Sequence, residues 1–433
     1  MYNIKLDTTL DSNLILINEN TLKKLNMLST DSIMLHFGQM VKELIIQIDN
    51  KIPEIDIVIP KILTPQITIP DVPYDCYFNE NQLIIGPVIG FIPLKVFYSN
   101  PQKMLLRFSN YNKINGLIFI FRPNDIDHQN KTITGYYFEP KSKEFIQATF
   151  PYPKAVYCRS KVSKKVYNKL GGNLFNFPYT NCSKKLFRNL MEKDPLLKNY
   201  IPETIDYSGL KSVLNMLKNH GSIYLKPPRL SQGRGIFRLK LDNDDYVLNN
   251  HSFRELKLTT KKELSKILKK KIHGDYLVQQ EILSIQEDRK IDFRAYFHKG
   301  TDKQWKFTAF ETKVGKEGSV ISNFKNRDTM MSGYEALQEF YDLNSKESDE
   351  KIKELSRICI EAIRLVENKI GLLGETAVDF IIDKDLKIWL LEVQVNFAAD
   401  KKLTRSKSEK AILPLILPVS FLYAKALAGF EDK

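Results

Sequence analysis

Hydrophobic and polar positions divide the chain into three stretches with different patterns. Up to about residue 85, short apolar runs alternate with Asn, Asp, Pro and Gly, which is typical of strands joined by turns. The predicted strands are 14–17, 33–37, 44–48, 55–59, 67–69 and 82–85, with one short helix near 21–28. Residues 1–85 are therefore predicted to form a small β-rich domain without a catalytic constellation.

Residues 86–172 carry longer apolar runs. The segments 116–121 and 155–158 have the composition of buried strands and are joined by a polar connection. Apolar strands with helical spacers predict a small α/β domain built on a parallel sheet. The segment 173–180 is predicted to be a linker.

From residue 181 the pattern alternates between helices and strands. Predicted helices are 183–192, 208–219, 349–369 and a basic helix within 254–271, and predicted strands are 276–281, 292–298, 305–313, 376–383 and 387–394. The basic run is interleaved with Glu and Leu at helical spacing, which favours a solvated helix face over a nucleic-acid patch. The apolar stretch 411–430 contains prolines and a lysine and is predicted to be a packed helix rather than a membrane span.

Composition narrows the class of protein. A length of 433 residues with 43% hydrophobic residues allows two or three domains, and a net charge of +14 favours anionic partners. No basic stripe interleaved with aromatic residues is present, so specific nucleic-acid binding is not expected. The four cysteines are far apart and do not cluster with histidine, which predicts a reduced, cytoplasmic protein. No apolar run reaches the roughly 20 residues needed to span a bilayer, so no transmembrane segment is predicted.

A glycine-containing segment at 221–235 is the first candidate for chemistry. An apolar strand ends at Lys226, two prolines follow, and Ser231, Gln232, Gly233 and Gly235 precede the next apolar run. Glycines with positive φ let backbone N–H groups approach an anion, and the lysine supplies a fixed positive charge. The segment therefore predicts a hairpin that holds a nucleotide triphosphate, with an ordinary surface hairpin as the alternative.

Two carboxylates on consecutive strands form the second candidate. A four-residue turn at 384–387 would pair Asp383 with Ile388 and place Asp379 opposite Glu392, with Gln394 on the same face. Facing carboxylates repel unless a cation lies between them, and oxygen ligands favour Mg²⁺ shared with substrate phosphates. The alternative is an exposed acidic face of a sheet.

Together these segments resemble the ATP-grasp superfamily and, more closely, the YheC/YheD family of endospore coat-associated proteins. The resemblance covers roughly residues 80–430 and is carried by LIIGPVIGFI at 83–92, FPYPKAVYCR at 150–159, PLLKNYIPET at 195–204, KPPRLSQGRGI at 226–236, DFRAYF at 292–297, SVISN at 319–323 and VDFIIDKDLKIWLLEV at 378–393. It implies an α/β (α+β) fold with two ATP-grasp lobes, about 205–280 for nucleotide binding and about 281–433 for metal binding and catalysis. A pre-ATP-grasp-like α/β domain (86–172) and the β-rich domain (1–85) would precede the ATP-grasp domain at 181–433.

The resemblance also implies roles for individual residues. Nucleotide binding would fall to Lys184, Lys226, Ser231, Gln232, Gly233, Gly235, Gln280 and Glu281. Asp379, Glu392 and Gln394 would bind Mg²⁺. Arg294 and Lys226 would be catalytic, and Arg294, Lys313 and Asn323 would face the substrates. Expected cofactors are thus ATP and Mg²⁺.

By the same resemblance, the expected activity joins a carboxylate to an amine through an acyl phosphate. The substrates would be small molecules or peptides, and the resemblance implies association with spore coat proteins. Two departures support an alternative, a nucleotide-binding structural protein of the spore coat that no longer turns over. The superfamily's Glu-x-Asn reads Glu392-Val393-Gln394, with Asn396 as a substitute ligand, and the glycines expected after Asn323 are missing.

Overall fold

The computed structural model describes residues 1–27, 31–171, 173–176, 182–230, 233–250, 255–286, 289–322, 326–395, 397 and 410–431. In these residues the chain builds four β-sheets, one after another along the sequence. Helices cover one face of each of the last two sheets, and the faces left free by those helices carry the candidate site.

The first sheet is mixed and has seven strands in the order β1-β5-β2-β4-β3-β7-β6. Its strands are β1 (Asn3–Asp7), β2 (Leu14–Ile17), β3 (Ser32–Phe37), β4 (Met40–Ile48), β5 (Asp56–Pro60), β6 (Asp75–Asn79) and β7 (Gln82–Gly86), and it includes helix α1 (Glu19–Lys24). The prediction of a strand at 67–69 was wrong, because this stretch between Pro65 and Pro70 forms no ladder and makes, among the described residues, only one backbone hydrogen bond to a strand, from Thr68 N–H to the Thr149 carbonyl at 2.7 Å. Strands β1 and β6 were missed because polar residues interrupt their apolar positions.

The second sheet has a parallel centre and an antiparallel side. Its elements are β8 (Val88–Ile92), α2 (Lys95–Tyr98), β9 (Leu117–Ile120), β10 (Ile126–Asp127), β11 (Thr132–Glu139), β12 (Glu144–Pro151), β13 (Ala155–Cys158), α3 (Lys164–Leu170) and β14 (Leu174–Phe175). Strands β9, β8, β13 and β14 are parallel, as predicted, but the polar connection is an antiparallel hairpin, β11–β12. The linker prediction was wrong at β14, and residues 177–180 lie outside the described ranges.

One hydrophobic core runs continuously between the first and second sheets. It joins side chains from the first strands of the chain, such as Ile4 and Ile15, to Val156 and Leu174 of the second sheet. The division at residue 85 therefore separates two sheets but not two cores, and the predicted domain boundaries stay a prediction.

The third sheet is antiparallel, in the order β15-β20-β16-β17-β18-β19. Its elements are β15 (Thr204–Asp206), α5 (Leu210–His220), β16 (Ser222–Lys226), β17 (Phe237–Asp242), β18 (Asp245–Asn250), β19 (Glu255–Leu258), α6 (Lys261–Lys271) and β20 (Leu277–Gln280). Helices α5 and α6 share a core with one face of this sheet. The predicted basic helix is shorter than expected, because Glu255–Leu258 forms an edge strand instead.

The fourth sheet, in the order β23-β22-β21-β24-β25, forms the centre of the C-terminal half. Its elements are β21 (Ile291–Lys299), β22 (Trp305–Gly315), β23 (Arg327–Ser332), α7 (Gly333–Tyr341), α8 (Ser345–Ile370), β24 (Glu375–Ile382) and β25 (Ile388–Gln394). Helix α8 and the preceding α4 (Lys184–Met191) pack on one face through apolar side chains such as Phe187, Ile358 and Phe380. The opposite face is polar where it meets the third sheet.

The predicted C-terminal helix is divided into α9 (Leu413–Ile416) and α10 (Ser420–Leu427), with Pro418 between them. Helix α10 packs on the second sheet through Phe421 and Tyr423, while α9 covers part of the fourth sheet near Tyr296. No helix in the described part of the chain is long and apolar enough to cross a membrane.

A β-bulge sets the register of the β24–β25 hairpin, which we call the carboxylate hairpin. Ile382 pairs with Ile388, one residue away from the predicted pairing, but the register shifts at Leu391 so that Asp379 pairs with Glu392 as predicted. A regular ladder in the observed turn register would place Leu391 opposite Asp379 and point Glu392 towards α8. The bulge therefore turns Glu392 away from the core and onto the polar face.

A buried ion pair ties the second sheet to the fourth. Arg159, just after β13, lies 2.5 Å from Glu375, and both side chains are almost fully buried. The second Nη group of Arg159 donates to the carbonyl of Phe397, and Ser420 donates to the other Glu375 oxygen. This contact fixes the polar face of the fourth sheet relative to the second sheet.

Candidate functional site

The candidate site is a polar groove where the third and fourth sheets meet. It gathers side chains from both sheets and from α4, which we define as the polar groove: Lys184, Lys226, Lys290, Asp292, Arg294, Lys313, Asp379, Glu392 and Gln394. The period-two alternation of β21 places Asp292 and Arg294 on this face, while Phe293 and Ala295 enter the core. At this strand, one face of the sheet is therefore apolar and packs in the core, and the other face is charged and lines the groove.

Lys226 ends β16 at the centre of the groove. Its Nζ donates to Gln279 Oε1 at 2.5 Å and lies 4.7 Å from the ring centroid of Tyr224. Burial, together with the nearby ammonium groups of Lys290 and Lys184, lowers the pKa of Lys226 to about 7. A half-buried cation among other cations is a site for a multiply charged anion.

Lys226 is expected to make the protein more stable as the pH rises from about 7 to about 10. Its folded pKa of about 7 lies below the ordinary value of 10.5, so in this window the unfolded chain binds the extra proton. Urea unfolding at several pH values checks this, and Lys226→Met should flatten the slope. Lys240→Met, an exposed lysine on β17, is the control, and equal slopes in the parent and Lys226→Met would contradict the expectation.

The glycine hairpin β16–β17 has the predicted conformation. Gly233 and Gly235 adopt φ values of +75° and +71°, which side-chain-bearing residues rarely adopt. A Cβ on Gly233 would lie 2.5 Å from the Ile321 side chain, so the loop packs closely against the segment that follows β22. Ser231 and Gln232, predicted in the same loop, lie outside the described residues.

Lys184 links the glycine hairpin to the carboxylate hairpin. Ser183 caps α4, so Lys184 is the first residue of that helix. Its backbone N–H donates to the Pro228 carbonyl at 3.3 Å and its Nζ to the Leu230 carbonyl at 3.1 Å. The same Nζ lies 3.1 Å from Glu392, so one ammonium spans both predicted ligand-binding segments.

Of the two predicted hinge residues, Glu281 faces the groove and Gln280 does not. Glu281 accepts hydrogen bonds from Ser222, from Tyr224 at 3.1 Å and from Arg238 at 2.8 Å. Burial alone would raise the pKa of Glu281, but Lys290 and Arg238 hold it below its ordinary value. Gln280 accepts instead from the Glu203 backbone, and Gln279 takes the position beside Lys226.

Asp379 and Glu392 face each other but are already neutralised by basic side chains. Arg294 donates two hydrogen bonds to Asp379, at 2.6 and 2.7 Å, and Lys184 pairs with Glu392. Burial raises the pKa of Asp379, but the Arg294 charge outweighs it and holds the pKa well below the usual range. The expectation that only a metal could relieve their repulsion is therefore corrected: each carboxylate has a cationic partner of its own.

Gln394 lies beside both carboxylates, as expected for the third position. Its Nε2 donates to Glu392 and, at 3.4 Å, to Asp379. A half-turn of the amide would present its oxygen to the same place. Asn396, the substitute ligand, lies outside the described residues.

On the side predicted for the acceptor, Lys313 is buried and Asp292 is half-buried, and the two residues are cross-strand partners. Burial and Arg294 lower the pKa of Lys313, and no described residue lies within ion-pair distance of its Nζ. Asp292 accepts a hydrogen bond from Ser322. Asn323, the next residue, lies outside the described ranges.

Sequence reasoning missed three residues of this region: Lys290, Asp292 and Gln279. Strand alternation could have identified all three, because side chains two or four residues apart lie on the same face of a strand. Lys290 and Asp292 share a face with Arg294 in this way, and Gln279 shares a face with Glu281. The family resemblance assigned nucleotide binding to Gln280 instead of Gln279.

The donor set fits a magnesium ion shared with a ligand. In the described part of the chain no group of three His, Cys, Asp or Glu side chains is placed to hold a metal ion. Two facing carboxylates with an adjacent amide are nevertheless the kind of partial oxygen set that Mg²⁺ uses when phosphates supply further ligands. Asp379, Glu392 and Gln394 are the residues that would hold it.

Two curated proteins of Bacillus subtilis (strain 168) are similar to the chain. The endospore coat-associated protein YheD is 24% identical over 348 residues, covering 73% of this chain and 74% of YheD. The endospore coat-associated protein YheC is 22% identical over 297 residues, covering 64% of this chain and 80% of YheC.

Among solved structures, the ATP-grasp ligase PsnB complexed with a minimal precursor is similar, with a TM-score of 0.44 and 12% identity over 80% of this chain and 99% of PsnB. The VanG D-Ala:D-Ser ligase from Enterococcus faecalis has a TM-score of 0.43 and 11% identity over 79% of this chain and 98% of VanG. Similarity at this level says nothing about the activity or substrate of this chain.

A family model described as YheC/D like ATP-grasp matches residues 172–427, which is more than half of the chain. The matched range contains the glycine hairpin, the carboxylate hairpin and the whole polar groove. The predictions of an α/β ATP-grasp fold and of the YheC/YheD family are confirmed. The chain belongs to the YheC/D like ATP-grasp family.

Proposed function

We propose that the protein is an ATP- and Mg²⁺-dependent ligase that joins a carboxylate to an amine through an acyl phosphate. The observation that carries the proposal is a shared groove in which Lys184, Lys226 and Lys290 lie near Arg294, Asp379 and Glu392. Three ammonium groups suit a triphosphate, and two facing carboxylates suit the metal that accompanies it. The names of the B. subtilis relatives support association with the endospore coat.

In the first proposed step, a carboxylate oxygen of the substrate attacks the γ-phosphorus of ATP. A new O–P bond forms, the bond to the β-phosphate oxygen breaks, and ADP leaves. Lys226, Lys290 and Lys184 hold the phosphate oxygens, and the closely packed loop at Gly233 excludes water. Bound Mg²⁺ would supply charge neutralisation at the phosphate oxygens.

In the second proposed step, the amine nitrogen attacks the acyl carbon. The C–N bond forms, the C–O bond to phosphate breaks, inorganic phosphate takes the electron pair, and the amine proton passes to solvent. Arg294 is proposed to stabilise the oxygens of the transferred phosphoryl group through the guanidinium N–H groups that do not donate to Asp379. Lys313 and Asn323 are proposed to lie on the acceptor side.

A specific observation favours a second candidate, a nucleotide-binding coat protein without turnover. The Gln394 amide nitrogen faces both carboxylates, so the third ligand position presents a donor rather than an acceptor. Arg294 and Lys184 also occupy the carboxylates that a metal would use. Mg-ATP binding without ADP release in the presence of spore extract would favour this candidate over the ligase.

Replacing Lys226 by alanine is expected to weaken Mg-ATP binding by about tenfold or more, because charge-assisted contacts of this kind contribute about 1.5 to 3 kcal/mol. Isothermal titration calorimetry measures the effect, with Lys240→Ala, an exposed lysine at the other end of the same hairpin, as the control. Unchanged affinity in the Lys226 variant would contradict nucleotide binding in this groove. A further assay measures ADP release in the presence of a carboxylate and an amine. Release of ADP would favour the ligase, and its absence would favour the nucleotide-binding coat protein.

A further inference from the structure

A long stretch without acidic residues lies mostly outside the polar groove. From residue 145 to residue 191 the sequence contains no Asp or Glu, yet it has nine Lys and Arg residues. Four of them have roles already described or local partners: Arg159 is buried, Lys184 lies in the groove, and Lys185 and Arg188 pair with Asp206. The other five, Lys154, Lys161, Lys164, Lys165 and Lys169, are exposed and have no acidic partner among the described residues.

These lysines form one surface around α3. Lys165 and Lys169 lie close enough to His128 to lower its pKa, after the larger effect of desolvation. His128 in turn contacts the Tyr152 hydroxyl at 2.7 Å, and Lys154 follows two residues later. The Tyr152 backbone N–H donates to the Lys131 carbonyl, which adds a sixth exposed lysine.

We define the α3 surface as Lys131, Lys154, Lys161, Lys164, Lys165 and Lys169 with His36 and His128. Asp127 lies beside His128, but its carboxylate already accepts hydrogen bonds from Gln129 and Asn130. None of the six lysines forms an ion pair with another described residue, so the α3 surface concentrates positive charge and favours an anionic partner.

A cavity opens beside this surface. It has a volume of about 400 Å³ and is lined by the polar His36 and Lys154 and by the apolar Val41 and Leu170. The Gln39 amide donates to the carbonyls of Pro153 and Leu170 and so ties the walls together. A cavity of this size with mixed walls accommodates a side chain with an apolar stem and an acidic end.

We propose that the α3 surface binds an acidic polypeptide segment, with one of its side chains in the cavity. Single-stranded nucleic acid fits this surface less well, because base stacking needs exposed rings, whereas Tyr152 is buried and Tyr167 is half-buried. An acidic peptide would be bound by complementary charge, and the cavity would hold one of its side chains. The proposal is independent of nucleotide binding in the polar groove.

Fluorescence anisotropy with labelled oligoglutamate and the full chain tests the proposal. We expect binding at low salt that weakens as salt is added. The triple variant Lys164→Gln/Lys165→Gln/Lys169→Gln should bind about tenfold more weakly or worse. Helix α6 provides a matched control, because Lys261→Gln/Lys262→Gln/Lys266→Gln removes the same charge from another exposed basic helix and should change affinity by less than about twofold.

Three results would overturn the proposal. The first is no binding of oligoglutamate by the parent protein. The second is an equal loss of affinity in both triple variants, which would assign binding to net charge alone. The third is tighter binding of an oligothymidylate of similar charge, which would assign the surface to nucleic acid. Circular dichroism of both variants verifies that they are folded.

Discussion

Replacing Arg159 by methionine is expected to lower the free energy of unfolding by about 3 to 5 kcal/mol, because it leaves the Glu375 carboxylate buried without its cation. The two side chains are 2% and 1% exposed, so water cannot replace the lost partner. Urea unfolding followed by tryptophan fluorescence measures the effect. Both tryptophans, Trp305 and Trp389, lie in the fourth sheet, so the signal reports on the sheet that this contact holds.

Two further variants distinguish loss of the Arg159–Glu375 ion pair from loss of side-chain volume. In the double variant Arg159→Met/Glu375→Gln the loss should be clearly smaller than the sum of the two single losses, because neither charge is then left unpaired. Arg122→Met is the control, since its pair with Asp125 is exposed on the arginine side and should contribute about 1 kcal/mol or less. Additive single losses, or an equally large effect at Arg122, would contradict a buried pair that holds the two sheets together.

The charged groups around Glu375, which include His298 at 3.8 Å, predict loss of stability in acid. Burial lowers the pKa of His298 to about 4, so between about 6.5 and 4 the unfolded chain takes up a proton that the folded protein does not. Burial raises the pKa of Glu375, but Arg159 and Arg107 outweigh it and hold the pKa at about 2. Its contribution to stability is therefore present above about 4.5 and is lost as the pH falls towards 2.

The second large effect is expected at the carboxylate hairpin. Replacing Asp379 by asparagine or Glu392 by glutamine should weaken Mg²⁺-dependent ATP binding by at least about tenfold, because each removes a charged metal ligand. Gln394→Asn should preserve or strengthen this binding, whereas Gln394→Leu should weaken it. Titrating Mg²⁺ into each variant with ATP present measures the series, and Asp385→Asn in the exposed turn is the control.

Stability without ligand adds an independent readout to this series. Asp379→Asn should destabilise the apo protein, because it removes the negative charge that pairs with Arg294 and one of the two oxygens that accept its hydrogen bonds. Repulsion between opposed carboxylates would by itself predict the reverse. If Glu392→Gln bound Mg-ATP as tightly as the parent, the shared metal site would be wrong. If Gln394→Asn instead increased ADP release, the protein would be a ligase limited by its third ligand.

The sequence predicts well those features that depend on neighbouring residues. Helix α4 follows from its Ser183 cap and apolar spacing, and the positive φ angles of Gly233 and Gly235 follow from the absence of a side chain. The opposition of Asp379 and Glu392 was also predicted, although through a turn register that differs from the observed one by one residue. Local pattern thus predicts which elements form and roughly where their ends lie.

Features that depend on distant residues could not be predicted in this way. Arg159 and Glu375 are 216 positions apart, and nothing in the spacing of either links the two. The pairing of Lys184 with Glu392 and of Arg294 with Asp379 likewise requires the assembled sheets. For this reason the sequence alone predicted repulsion between two carboxylates that are in fact neutralised.

The bulge at Leu391 also determines which deletions this strand can tolerate. Ile388, Leu390, Val393 and Val395 enter the core, so alternation is interrupted once, between Leu390 and Val393. Deleting Leu391 would restore strict alternation and still leave Glu392 opposite Asp379. Deleting Val393 would instead move Gln394 into the core. Length variation among related chains is therefore expected at the bulge, where a residue can be lost without exchanging the two faces of the strand, and loss of Leu391 is the deletion that keeps Glu392.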